Sequence, residues 1–126
     1  MQIHQSAEDY LETILMLTQR MGRVRSIDVV NELGYTKASV SIAMKKLREN
    51  GYIAVDGEGN LTLLEPGREI AERIYSRHRL LTHFFVQLGV DEQTAAEDAC
   101  KAEHILSEQT LEKIRESALR NDAAHP

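Results

Sequence analysis

The junction Leu33-Gly34-Tyr35-Thr36 constrains this chain most, because it separates two short helical patterns by a corner only a few residues long. Before it, Ser26 caps a stripe of Ile27, Val30 and Leu33, and Gly34 stops that helix. After it, Thr36, with Ser39 three residues on, starts a helix whose apolar side is Val40, Ala43, Met44 and Leu47 and which ends at Asn50-Gly51. Two helices joined this tightly match a helix-turn-helix.

The flanking sequence completes the unit. Ser6, followed by Glu8 and Asp9, is an N-cap with acidic first-turn residues, and Tyr10, Leu11, Ile14, Leu15 and Leu17 carry a first helix to about Arg20. Gly22 breaks it. Downstream, the β-prone runs 52–55 and 60–64 surround Asp56-Gly57-Glu58-Gly59, a hairpin connection, and so predict a wing. Pro66 opens a long helix to about Leu88 with Ile70, Ile74, Leu81, Phe85 and Leu88 in register, and Gly89 ends it. A fifth helix, about Asp91 to Leu106, has a small-residue seam of Ala95, Ala99, Ala102 and Leu106. A sixth starts at Ser107 with Leu111 and Ile114 apolar, and residues 121–126 read as a frayed tail. The expected fold is mainly α: a winged helix-turn-helix DNA-binding domain over 1–65, then an all-helical domain over 66–126.

At 126 residues and 42% hydrophobic, the chain has enough material for one compact unit or two small subdomains sharing a core. Its longest apolar stretches, near Ile14–Leu17 and Phe84–Val86, are far too short to span a bilayer, and no secretory pattern opens the sequence. A cytoplasmic protein is expected. The single cysteine, Cys100, excludes an internal disulfide and fits a reducing compartment. Alone it reads first as a small core residue, with a redox thiol or a metal ligand as the other readings.

A net charge of −5 looks wrong for a nucleic-acid binder until its distribution is considered. Residues 20–52 hold seven Arg and Lys against Asp28, Glu32 and Glu49, a local +4. The basic surface therefore falls on the helix-turn-helix. In that motif the second helix presents its N-terminal residues to base edges in the major groove. Its side opposite the core carries Lys37, Ala38, Ser41 and Lys45, with Ser39 on the flank. Lysines suit phosphate or guanine acceptors, a serine donates or accepts, and an alanine leaves room for a thymine methyl. Each residue alone is weak, since an outward lysine is usually a solvated charge. The order of elements carries the reading, and double-stranded DNA is the expected partner.

A second constellation lies near the other end. Cys100, Glu103 and His104 stand at i, i+3 and i+4, placing a thiol, a carboxylate and an imidazole on one predicted helix face. That mixed donor set suits a first-row divalent ion. One helix cannot close the shell, and further candidates are Asp9 and Glu12, spaced i, i+3 on the first helix, and His78 on the fourth. His78 falls on the inward stripe, where an unpaired imidazole is costly, so it needs a partner. His83 faces away from that stripe, and His4 and His125 lie near the chain ends.

With those residues in place, the chain resembles the DtxR/MntR family of metal-dependent transcriptional repressors over nearly its whole length. The resemblance is carried by Ser6-Ala7-Glu8-Asp9-Tyr10-Leu11-Glu12, by Tyr75-Ser76-Arg77-His78-Arg79-Leu80-Leu81, and by Gly89-Val90-Asp91 followed by Cys100-Lys101-Ala102-Glu103-His104-Ile105-Leu106-Ser107. It implies a winged-helix domain followed by a helical dimerisation domain, with metal bound between them. Asp9, Glu12, His78, Glu103 and His104 match the ligands of the manganese-responsive branch. Cys100 stands where that branch usually has a glutamate, and a cysteine there marks the iron-responsive branch, which usually has methionine at Asp9. The site is a hybrid. Thr82 and Ala96 replace the glutamate and histidine of the iron branch's ancillary site, and the chain resembles the short form lacking an SH3-like third domain.

The resulting expectation is a homodimeric repressor that binds operator DNA and controls manganese or iron homeostasis genes. Its corepressor would be Mn²⁺ or Fe²⁺, with Co²⁺, Ni²⁺ or Zn²⁺ as substitutes, and it would use no membrane and no small organic substrate. A metal-independent winged-helix regulator is the first rival. A hydrolase using Glu103 as general base beside a metal is the remote one, disfavoured because the chain lacks a His-Glu-x-x-His helix, a nucleophile elbow and a phosphate-binding glycine loop.

Overall fold

The computed structural model describes residues 5–124, so His4 and His125 lie outside the described residues. Its elements are α1 (Gln5–Met21), α2 (Ser26–Leu33), α3 (Lys37–Glu49), β1 (Ile53–Val55), β2 (Leu61–Leu63), α4 (Glu65–Gln87), α5 (Glu92–Ala102) and α6 (Glu108–Ala124). They pack as two compact units dividing after Arg73, a boundary that falls inside α4. Among the described residues, no helix is long and apolar enough to cross a membrane.

In the first unit, Leu11 and Ile14 of α1, Val29 of α2, Val40 of α3 and Ile53 of β1 are buried and form the core. Each such side chain contributes about 1.5–3 kcal/mol through its removal from water. α3 begins where the sequence predicts: Ser39 N–H donates to Thr36 Oγ1 at 3.1 Å, and the Thr36 hydroxyl donates to Ser39 Oγ at 2.9 Å. Gly34 closes α2 in the left-handed region, its N–H on Val30 O at 2.8 Å. Tyr35 meets Tyr10 edge-on, ring centroids 5.9 Å apart.

The wing is an antiparallel pair with Ile53 opposite Leu63, Ala54 opposite Thr62 and Val55 opposite Leu61. Leu61 and Leu63 are buried while Thr62 is exposed, the period-two alternation of a half-covered strand. The segment between α1 and α2 extends this sheet: Arg25 bridges Asn60, and Leu61 N–H donates to Val24 O at 2.7 Å. At the tip, the Asp56 carboxylate accepts from Glu58 N and Asn60 N, each at 2.9 Å. The Arg25 guanidinium donates to Glu58 O. Where the wing meets α4, Gly67 lies against the Tyr52 carbonyl so closely that a Cβ would collide with it.

The second unit packs Leu81 of α4, Ala99 of α5 and Leu111 of α6 together, with Phe85, Ala102, Leu106 and Ile114 against them. The alanine seam is as expected, since Ala95 and Ala99 are fully buried and bring α5 close to its neighbours. Asp91 caps α5 by accepting from Thr94 N–H at 3.1 Å.

Several local expectations are corrected. Ser6 lies within α1, which already includes Gln5. Arg25, not Ser26, is the N-cap of α2, because the Asp28 carboxylate accepts the Arg25 N–H at 2.9 Å and draws the start back one residue. Val29 is the buried residue of α2 while Ile27 is exposed: adjacent valines allow either register, and tertiary packing selects one. Leu88 is 65% exposed, because α4 stops at Gln87 before its stripe would return. Residues 121–124 continue α6, where Asp122 accepts from Gln87 Nε2 at 2.7 Å and stands 3.0 Å from His83 Nε2. α5 ends at Ala102, four residues earlier than expected. Ser107 caps the next helix by accepting the Thr110 N–H at 3.2 Å, and the chain must turn to reach that cap.

Candidate metal centre and nucleic-acid face

The early end of α5 changes how Cys100, Glu103 and His104 are presented. The helix ends before two of them, since Cys100 is exposed on α5, Glu103 is the C-cap and His104 lies in the turn beyond, yet the Cys100 thiol still stands within 4.8 Å of the Glu103 carboxylate. Glu103 is fully buried, and the His104 side chain is 1% exposed. Each carboxylate oxygen of Glu103 faces an imidazole, Oε2 at 2.9 Å from His78 Nδ1 and Oε1 at 3.5 Å from His104 Nε2. The partner that His78 required is therefore Glu103.

A carboxylate removed from water needs compensating positive charge nearby. Protonated imidazoles supply it, and so does a divalent cation shared by all three side chains. Two imidazoles and a carboxylate from two elements of one unit form a donor set of the kind first-row divalent ions take. The donors therefore fit such an ion. Thr82 donates its hydroxyl to His78 O at 2.7 Å.

Arg77 holds this arrangement. Its Nη1 donates to the Glu103 carbonyl at 3.2 Å, satisfying an acceptor left open at the helix end, and its Nη2 donates to the Glu108 carboxylate. One side chain thus ties α4, the end of α5 and the start of α6 around Glu103 and His104. Position next to His78 was the only sequence signal for it. Asp9 and Glu12 stand three residues apart on α1 of the first unit, where Glu12 is 5% exposed despite its charge.

On α3, the expected outward residues Lys37, Ala38, Ser41 and Lys45 are all exposed, as is Ser39, whose backbone and hydroxyl are engaged in the Thr36 cap. Val40, Met44 and Leu47 are buried on the opposite side, with Ala43 half-buried. Lys46 and Arg48 in the last turn add exposed positive charge. Ile42 is exposed as well, at 58%, although its hydropathy alone would assign it to the core.

Comparison with known proteins agrees with both halves. A sequence profile described as the iron dependent repressor N-terminal DNA binding domain matches residues 2–61, and one described as the iron dependent repressor metal binding and dimerisation domain matches residues 64–120. An uncharacterised HTH-type transcriptional regulator of Methanocaldococcus jannaschii is 37% identical over 113 residues, 88% of this chain and 90% of that one. The HTH-type transcriptional regulator MntR of Bacillus subtilis strain 168 is 34% identical over 109 residues, 86% of this chain and 77% of that one. Among solved structures, a manganese-dependent transcriptional repressor in complex with manganese superposes with a TM-score of 0.81 at 28% identity, over 89% of this chain. The match spans about half of that structure, 52% of its length.

Proposed function

Because the chain belongs to the DtxR/MntR family of iron-dependent repressors, we propose that it is a metal-activated, DNA-binding transcriptional repressor that works as a homodimer. The observation that carries the reading is the buried Glu103 carboxylate with an imidazole on each oxygen. His78, Glu103 and His104 would hold a divalent transition ion, Mn²⁺ or Fe²⁺. Asp9, Glu12 and Cys100 are the further ligands that the resemblance implies. When bound, the ion supplies the positive charge that a set of carboxylate, thiolate and imidazole donors requires.

The remaining roles belong to the chain's own residues. Arg77 keeps the backbone of Glu103 in place, while α3 offers Lys37, Ala38, Ser39, Ser41 and Lys45 to an operator duplex. The functional boundary lies at 65/66, in the first turn of α4, and the profile matches ending at 61 and beginning at 64 fall within a few residues of it. No catalytic role is assigned, and the family consists of regulators. The protein acts in the cytoplasm, where both DNA and the metal pool are found.

An ion activates DNA binding only if it binds the DNA-competent state more tightly, and DNA must then raise metal affinity by the same factor. Titrating operator duplex into the protein with and without Mn²⁺ or Fe²⁺ tests this, with at least about 10-fold tighter binding expected in the presence of metal, within the usual range of such coupling. Equal affinity in both arms would remove the corepressor and leave a metal-independent winged-helix regulator.

A further inference from the structure

We propose that Ile42 and Ala38 form an apolar strip at the centre of the DNA-facing side of α3 that reads thymine methyl groups in the major groove. The inference rests on the DNA-reading role proposed above and makes its specificity definite. At 3.6 residues per turn, Ile42 lies about 200° round the helix from Val40 and Ala38 about 160°, so the two straddle the line opposite the core. Both are exposed, Ile42 at 58%, and they are successive positions on one face, four residues apart.

A single exposed isoleucine is ordinary on a protein surface. Its surroundings here are not neutral, because exposed Lys37, Ser41, Lys45 and Lys46 border the strip. A surface with that charge suits a polyanion, and lysines beside the strip can engage phosphates while its centre faces base edges. Among those edges, the thymine C5-methyl is the one apolar group the major groove presents. Isoleucine offers neither donor nor acceptor. Over adenine N6 or guanine O6 it would displace water without replacing the lost hydrogen bond, so the strip both favours thymine and penalises the alternatives. The cap sharpens this selection, since the Thr36 hydroxyl is spent on Ser39.

The probe is DNA in which uracil replaces thymine, which deletes the methyl and nothing else. Full-length protein with Mn²⁺ selects duplexes from a randomised library, and the winning sequence is then made with dU at each thymine in turn. The expected result is one or two positions where dU weakens wild-type binding about 4-fold, the value of one buried methyl-sized group. Ile42→Ala should lose most of the dT preference at one of those positions, the one facing Ile42, with an unchanged salt slope because the phosphate contacts remain. A thermal melt of that variant checks that its fold is intact. Wild-type indifference to dU at every thymine would overturn the inference while leaving DNA binding standing, and so would discrimination that persists undiminished at every position in Ile42→Ala. Failure to enrich any duplex would remove the DNA-reading role itself and the inference with it.

Discussion

Arg77 is the residue whose removal should separate site geometry from ligand chemistry. It lends no atom to the proposed metal set, yet it holds the carbonyl of Glu103 and the carboxylate of Glu108. Groups that orient ligands in this way typically govern 10–100-fold in metal affinity. Arg77→Ala should therefore weaken Mn²⁺ binding by about 10-fold or more in a competition titration, while Arg77→Lys, which keeps one donor, should recover part of the loss. Unchanged affinity in Arg77→Ala would reduce Arg77 to a helix-end contact. The need of His78 for a partner was legible because an inward imidazole demands one, though the sequence did not name Glu103 as that partner. Arg77 was not, because an arginine gives no sequence sign of which distant carbonyl it will reach.

Local chemistry decided which elements could be foreseen. The start of α3 and the wing turn were readable because Thr36 and Asp56 satisfy backbone groups within four residues of themselves. The end of α5 and the buried face of α2 were not, since one depends on a competing cap at Ser107 and the other on which valine the core accepts. Ile42 escaped for a related reason: hydropathy records what a side chain avoids, not which surface covers it. The wing turn also carries a pH signature. Asn60's side-chain and backbone hydrogen bonds hold the Asp56 carboxyl below its ordinary pKa of 3.8. A group depressed on folding stabilises the fold fully above that ordinary value, and its contribution is lost as pH falls through the lowered one. Acid titration followed by amide exchange at Glu58 and Asn60 should therefore show the wing loosening only below about pH 4. In Asp56→Ala the same amides should exchange quickly even at neutral pH.

The chain as a whole combines an acidic net charge with a basic reader, so binding to DNA should be strongly weakened by salt and should discriminate sharply between faces of the protein. Its second unit leaves Leu88, Ile105 and Leu119 exposed at 65%, 76% and 63%. Exposed apolar side chains of this size in one unit suit self-association, in keeping with the matched dimerisation profile. Sedimentation equilibrium should report a species of twice 14.3 kDa at micromolar concentration, and replacing all three with glutamate should give the monomer. A dimeric triple variant would place the interface elsewhere.

Gly67 has a consequence for genetics. Every missense change at a glycine codon adds at least a Cβ, and at this position the nearest obstacle is backbone, the Tyr52 carbonyl, which cannot rotate aside. Gly57, ten residues earlier in the wing, has nothing within 4 Å of the same added atom and no positive φ. In a saturation library selected for repression, position 67 should be stripped of every codon for another residue while position 57 tolerates many. Two glycines that look alike in the sequence would thus have opposite mutational spectra.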